Sequence, residues 1–291
     1  MTALRRWLAD PQRPPRILQA VTAAYLLWSL LPVAIAVMFS FNSGRSRTQW
    51  QGFSFRWYWG DPIRSVWHDD TLRTALTHTL VLGVLATAVT VPLGVAFALG
   101  VDRWRGRLPE GANFVMLVSL VIPETLLAVA LLFLVNEVRT PLQLGTSAQV
   151  AGLVTFQLSY PVVIVRARLL TIGKQYEQAA IDLGASPMGA VRRVLLPMLV
   201  PAILVSAVLV FADVIDDFVI VRYLSGDAST EPTSVKIYNT ARAAPTPALN
   251  ALATLMLLAA TVAVVIGFLV HRRLRRCEKD SSSIESFAGG L

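Results

Sequence analysis

YEQAAIDLGASPMGAVRRVLLPMLVP, residues 176–201, is a polar, helix-prone island set between two long apolar runs. Residues 175–183 are rich in helix formers, Gly184 interrupts them, and Ser186-Pro187 supplies a cap with proline at the first helical position. Two short helices are expected, the second running to Leu195, with Pro197 and Pro201 opening the next apolar run. On these features alone the island is either a docking surface or a self-packed amphipathic loop. For docking, Ala179, Ala180, Leu183 and Ala185 are small or apolar enough to enter a groove in another protein, while Arg192 and Arg193 can anchor the slab at lipid headgroups.

What surrounds the island is membrane-like. Of 291 residues, 55% are hydrophobic and 15% charged, against about 25% charged in an ordinary soluble domain. The expected spans are residues 17–40, 72–101, 113–135, 149–170, 199–221 and 247–270, each long enough at about 1.5 Å per residue to approach a hydrocarbon core of roughly 30 Å. The first is expected to be a retained anchor, because a cleavable signal has a shorter apolar core of about 7 to 15 residues. The third is expected to be broken near its middle by Pro123. No period of 20 to 50 residues marks a repeat array.

Six spans put both termini on the island's side. Of the 26 Lys and Arg, 17 lie in the N-terminal tail, the 102–111 loop, the island with its flanks and the C-terminal tail, leaving nine for the longer opposite loops. That bias predicts that the termini and the island are cytoplasmic. It also accounts for the +8 net charge without nucleic acid, since the basic residues fall in short clusters between spans. The expected organisation is a tail over 1–16, a six-helix membrane domain over 17–270 with a connecting loop at 171–197, and a tail over 271–291 whose Ser-rich end is expected to be disordered. The aromatic cluster Phe53, Phe55, Trp57, Tyr58 and Trp59 suits a membrane interface.

Enzymatic signals are poor. His68, His78 and His271 are scattered, Cys277 has no CxxC partner, and Gly173-Lys174 lacks the glycine and the Ser or Thr of a phosphate-binding loop. No catalytic residue, metal site or cofactor site is expected, so any ATP and Mg must be handled by another chain. The residues that invite attention are acidic. Asp213, Asp216 and Asp217 fall within the fifth span at i, i+3 and i+4, a spacing that shares one helical face. Acidic groups at bilayer depth cost roughly 2.5–3.5 kcal/mol and usually face a bundle interior or a watery cavity. They either line a pathway for a cation or mark the outer interface, paired with arginines such as Arg222. Glu124, after Pro123, has the same two roles open to it.

The island resembles the signature loop of ABC-importer permeases, which reads Glu-Ala-Ala, three residues, Gly, then Leu-Pro. Here the match is Gln178-Ala179-Ala180, Gly184 and Leu196-Pro197; Gln178 replaces the usual glutamate, so Glu177 or Asp182 is left to supply the acidic contact. WQGFSFRWY at 50–58, IPETLLAVALLF at 122–133, DLGAS at 182–186, the Asp216-Asp217 pair and VKIYNTARAAPTPALNALATLML at 235–257 extend the likeness, and resemble the second permease of spermidine/putrescine importers.

The resemblance implies an all-α, six-helix type I importer permease. It would work with a homologous permease, an ABC ATPase dimer and a periplasmic or lipid-anchored substrate-binding protein in a bacterial plasma membrane. It implies that the chain hydrolyses nothing itself, that Glu177, Gln178, Ala179, Ala180, Asp182, Leu183, Gly184 and Ala185 dock the ATPase, and that Asp213, Asp216, Asp217 and Glu124 line the substrate path. Related permeases carry ferric iron, thiamine or phosphonate. From other classes, a secondary transporter would need its own coupling-ion site, and a channel would have no use for the island.

Overall fold

A computed structural model describes residues 16–46, 49–104, 106–138, 142–243 and 246–288. The 1–15 part of the N-terminal tail, Arg139 and Pro141 lie outside them. Among the described residues five helices are long and apolar enough to cross a membrane, and a bent pair supplies a sixth crossing if counted as one. In chain order the elements are α1 (Arg16–Ser40), α2 (Asp70–Arg103), α3 (Arg107–Val121), α4 (Glu124–Glu137), α5 (Thr146–Ile172) and α6 (Gln175–Asp182). They continue with α7 (Pro187–Asp216), α8 (Val219–Leu224), α9 (Thr233–Ala243) and α10 (Pro247–Ala288).

The core is a trio: α2, α5 and α7 pack on one another, α10 lies on the far side of α7, and α1 lies on α10. Leu82, Leu153, Leu199, Val162 and Val210 are almost wholly buried between them. By contrast Leu27 is 72% and Trp28 76% exposed on α1. A helix apolar on faces that meet no protein is a helix solvated by lipid. At Gly94 of α2, an added Cβ would lie 2.4 Å from Cγ of Pro161 on α5, so only glycine allows this approach.

The structure departs from expectation where backbone chemistry outweighs apolar length. The third span is two helices of 15 and 14 residues, about 22 and 21 Å long, meeting at 110°. Ile122 is extended, as a residue before proline must be, and the carbonyl of Pro123 starts α4 by accepting from Leu126 and Leu127. The fifth span does not run on to 221. It stops at Asp216, because Asp217 is extended and its carboxylate accepts the Val221 N–H at 3.2 Å, starting α8; aspartate competes for backbone donors in this way. The island's second helix does not end at Leu195 either. A π-helical turn at Val191–Leu195 carries it into the span, the Leu196 N–H reaching back to the Val191 carbonyl, and this wider turn absorbs the missing donor of Pro197. At the chain's end, α10 runs on to Ala288 where disorder was expected; HRRLRR is made largely of good helix formers.

The aromatic loop is likewise divided. Trp57 and Tyr58 form a small second core with Val66, Leu72, Leu249 and Leu252, the Trp57 indole donating to the Asn42 carbonyl at 2.7 Å. Phe53, Phe55 and Trp59 remain exposed, with Phe55 stacked on Trp59. Asp61 fixes the turn below them: it accepts from the N–H groups of Ile63 and Arg64 at 3.1 and 3.0 Å and pairs with Arg56 at 2.9 Å.

Candidate functional site

Two features on opposite parts of the bundle carry the residues singled out by sequence. The first is a carboxylate cluster made by the two helix breaks. The 110° bend places Glu124 in the first turn of α4, where the helix's positive end favours a negative group. The break after α7 turns Asp217 inward, 9% exposed. Glu124 and Asp213 are both near enough to Asp217 to act on it electrostatically. Tyr160 of α5 feels both Asp213 and Glu124. Gln157, fully buried on α5, donates its amide to Asp213 at 2.5 Å.

Three of the four acidic residues named from sequence thus converge, and Asp216 does not. The one-face argument fails for Asp217, since the helix has ended by then. Asp216 stays exposed and lines, with Asp213, Val205, Leu209, Ala212 and Phe268, a groove of about 560 Å³ between α7 and α10. The alternative partner, Arg222, donates to Asn239 at 2.9 Å. Among the described residues no three His, Cys, Asp or Glu side chains converge as a metal site.

A polar node stands behind α8. Buried Gln149 of α5 accepts through its Oε1 from Nε2 of His78 at 2.8 Å. Its amide nitrogen reaches the carbonyls of Val221 and Thr230 at 3.2 and 2.9 Å. This ties α2, α5, α8 and the following loop together, with Thr233 donating its N–H to the hydroxyl of Thr79 at 2.8 Å.

The second feature is the island. Helix α6 ends at Asp182, Gly184 has φ +91°, a conformation costly for any residue with a Cβ, and the Ser186 hydroxyl accepts the Gly189 N–H at 3.1 Å to start α7. Helix α6 touches the π-helical turn, yet none of its side chains is buried. Gln178, Ala179, Asp182 and Leu183 face outward, Leu183 being 90% exposed. Glu177 is different: its carboxylate pairs with Arg103 at the end of α2, leaving Asp182 as the free acidic group of the pair weighed from sequence.

Sequence reasoning missed Gln157, Tyr160 and Arg103. A glutamine inside an apolar run was the available signal for Gln157; the Arg103–Glu177 pair joins residues 74 apart and leaves no local trace.

Comparison with known proteins gives these features a context. The chain is 31% identical over 253 residues to the spermidine/putrescine transport system permease protein PotC of Haemophilus influenzae, covering 87% of this chain and 94% of that one. It is 32% identical to the putrescine transport system permease protein PotI of Escherichia coli K12, covering 85% and 87%. The fold matches a bacterial ABC transporter involved in import of the acidic polysaccharide alginate, with TM-score 0.72 at 16% identity over 92% of this chain and 99% of that one. It also matches an amino acid ABC transporter, with TM-score 0.56 at 21% identity over 72% and 96%. Residues 90–276, which include the cluster and the island, match the binding-protein-dependent transport system inner membrane component family, and the chain belongs to that family.

Proposed function

We propose that this chain is one transmembrane subunit of an ATP-driven importer and that its cargo is a polyamine such as spermidine or putrescine. One observation carries the cargo: Glu124, Asp213 and Asp217 come together at the two helix breaks within the apolar spans, Asp217 buried, Glu124 half-buried and Asp213 open to the groove beside α10, and among the described residues no arginine or lysine forms an ion pair with them. Acidic groups at such depth call for a cation. The names of the relatives, which transport spermidine and putrescine, point the same way. Ferric iron and thiamine are the competing cargoes; a phosphonate would meet like charge. Asp216, at the mouth of the groove beside α10, is assigned to the path leading to the cluster.

The chain hydrolyses no ATP in this scheme. A separate ABC ATPase dimer binds ATP and Mg and docks on the exposed face of α6 through Gln178, Ala179, Ala180, Asp182, Leu183, Gly184 and Ala185, while Glu177 holds α6 to Arg103. ATPase closure moves the docked loops, a homologous second permease rocks against this one, and a substrate-binding protein delivers cargo on the opposite side. The excess of Lys and Arg on the island's side supports cytoplasmic termini and a cytoplasmic docking face in a bacterial plasma membrane. The continuity of α7 from the docking turn to Asp216 supports direct mechanical transmission from one feature to the other.

Two measurements on the assembled complex test this. ATP hydrolysis should rise when the binding protein is loaded with spermidine or putrescine; equal stimulation by a phosphonate-loaded binding protein would overturn the role of the carboxylates. Deleting residues 179–184 should abolish uptake and its coupling to ATP hydrolysis, and survival of both would refute docking. Uptake driven by an ion gradient without ATP would favour a secondary transporter.

A further inference from the structure

The carboxylate cluster contains one group that its acidic members do not explain. Gln157 is fully buried, and its amide nitrogen is fixed on Asp213, so the amide head sits at the cluster. Its other end, Oε1, has no hydrogen-bond partner. A buried acceptor without a donor is costly, and here it belongs to an amide held on Asp213, itself an acceptor. The locus is rich in acceptors and has few donors of its own. Its natural complement is a group that carries positive charge and several N–H bonds at once.

That description separates candidate cations. No three acidic side chains converge as a metal site among the described residues, which disfavours a small metal ion seated by carboxylates alone. A primary ammonium offers three N–H donors in a compact head, enough to serve Asp213 and Gln157 Oε1 at once with a donor to spare. A tertiary ammonium keeps the charge and has one donor.

We propose that Gln157 Oε1 is a specificity-determining acceptor for the primary ammonium end of the cargo, seated on Asp213, with Glu124 and Asp217 adding negative charge nearby. This rests on the polyamine reading above and adds to it a means of selecting amines by donor number. Charge from the carboxylates attracts any organic cation. The neutral amide oxygen rewards an unsubstituted –NH3⁺.

The test uses the whole complex in proteoliposomes with ATP, comparing uptake of 1,4-diaminobutane and of its analogue dimethylated at both nitrogens. Both are dications, and the same binding protein serves every variant, so a change in the uptake ratio between variants reports on this chain. Gln157→Met keeps length and volume but removes the acceptor; it should lower the preference for the primary amine about tenfold, the worth of a charge-assisted hydrogen bond. Gln157→Glu keeps an acceptor and should retain the preference or increase it. An unchanged ratio in an assembled Met variant would overturn the proposal. Should the Met variant fail to assemble, a Glu variant that loses the preference would overturn it equally. A wild-type complex that imports neither amine contradicts the polyamine reading itself, a result distinct from either.

Discussion

Leu183 is the most telling side chain of the proposed docking face. It is 90% exposed, so almost none of its apolar surface contributes to the chain's own stability, and nearly all of it is free to be buried by a partner. Leu183→Ala removes three carbons, each worth about 0.8 kcal/mol when buried. Full burial in an ATPase groove therefore predicts a loss of about 2.4 kcal/mol, or roughly 50-fold in affinity. The permease alone should be untouched, with a thermal midpoint within about 1 °C of wild type, because surface changes away from packed features usually cost less than about 0.5 kcal/mol. The assay is titration of purified ATPase onto the permease in nanodiscs, with the thermal midpoint of the permease measured in parallel. Unchanged affinity would refute docking through this face. A large drop in thermal stability with unchanged affinity would mean that Leu183 packs within the chain.

Other outcomes follow from the same geometry. Reversing the Arg103–Glu177 pair one residue at a time, as Arg103→Glu or Glu177→Arg, should uncouple ATP hydrolysis from uptake, and the double reversal should restore much of it; non-recovery would show that the pair transmits nothing. Gly94→Ala should destabilise the bundle by about 1–3 kcal/mol, seen as a lower thermal midpoint, because the rigid Pro161 ring 2.4 Å from the new Cβ outweighs the roughly 1 kcal/mol that alanine gains in a helix; a higher midpoint would refute that packing. Gln149→Leu removes the amide from the Val221 and Thr230 carbonyls and the acceptor from His78, leaving the Ser225 hydroxyl as the side-chain donor to both carbonyls, and should cost about 1–3 kcal/mol, with faster hydrogen exchange in α8. The Arg64 and Ile63 N–H groups, and then the Arg56 guanidinium, hold the Asp61 carboxyl below its ordinary value. Its contribution to loop order is therefore present above about pH 4 and lost as pH falls through the lowered folded value. Fluorescence of the neighbouring tryptophans should report that loss, and Asp61→Asn should remove it.

Sequence made the apolar segments, the island's break at Gly184 and the cap at Ser186 legible, because each rests on local chemistry. It was less informative where a long apolar run conceals a break. Pro123 announced a bend, but not one that turns a span back on itself. The end of α7 at Asp217 was illegible, since nothing in FADVIDDFVI distinguishes a continuous helix from one whose aspartate caps the next; the choice is made by Val221, and by Ser234, whose hydroxyl donates to the Asp217 carbonyl at 2.6 Å. The cluster inherits that limit. Glu124 and Asp217 are 93 positions apart, and only the fold of α4 against α8 brings them together. Pro197, read as the opening of a new span, instead lies in a continuous helix because the π-helical turn before it accommodates the lost hydrogen bond.

The central claim is that this chain couples ATP hydrolysis by a separate subunit to movement of a polyamine through the bundle. The measurement that tests it most directly is uptake of labelled putrescine and spermidine into proteoliposomes holding the chain, a second permease, the ATPase and the binding protein. Uptake should require ATP and fall strongly when Asp213 and Asp217 are changed together to Asn, with the complex still assembled. Undiminished uptake by that double variant, or uptake that persists without ATP, would contradict the account.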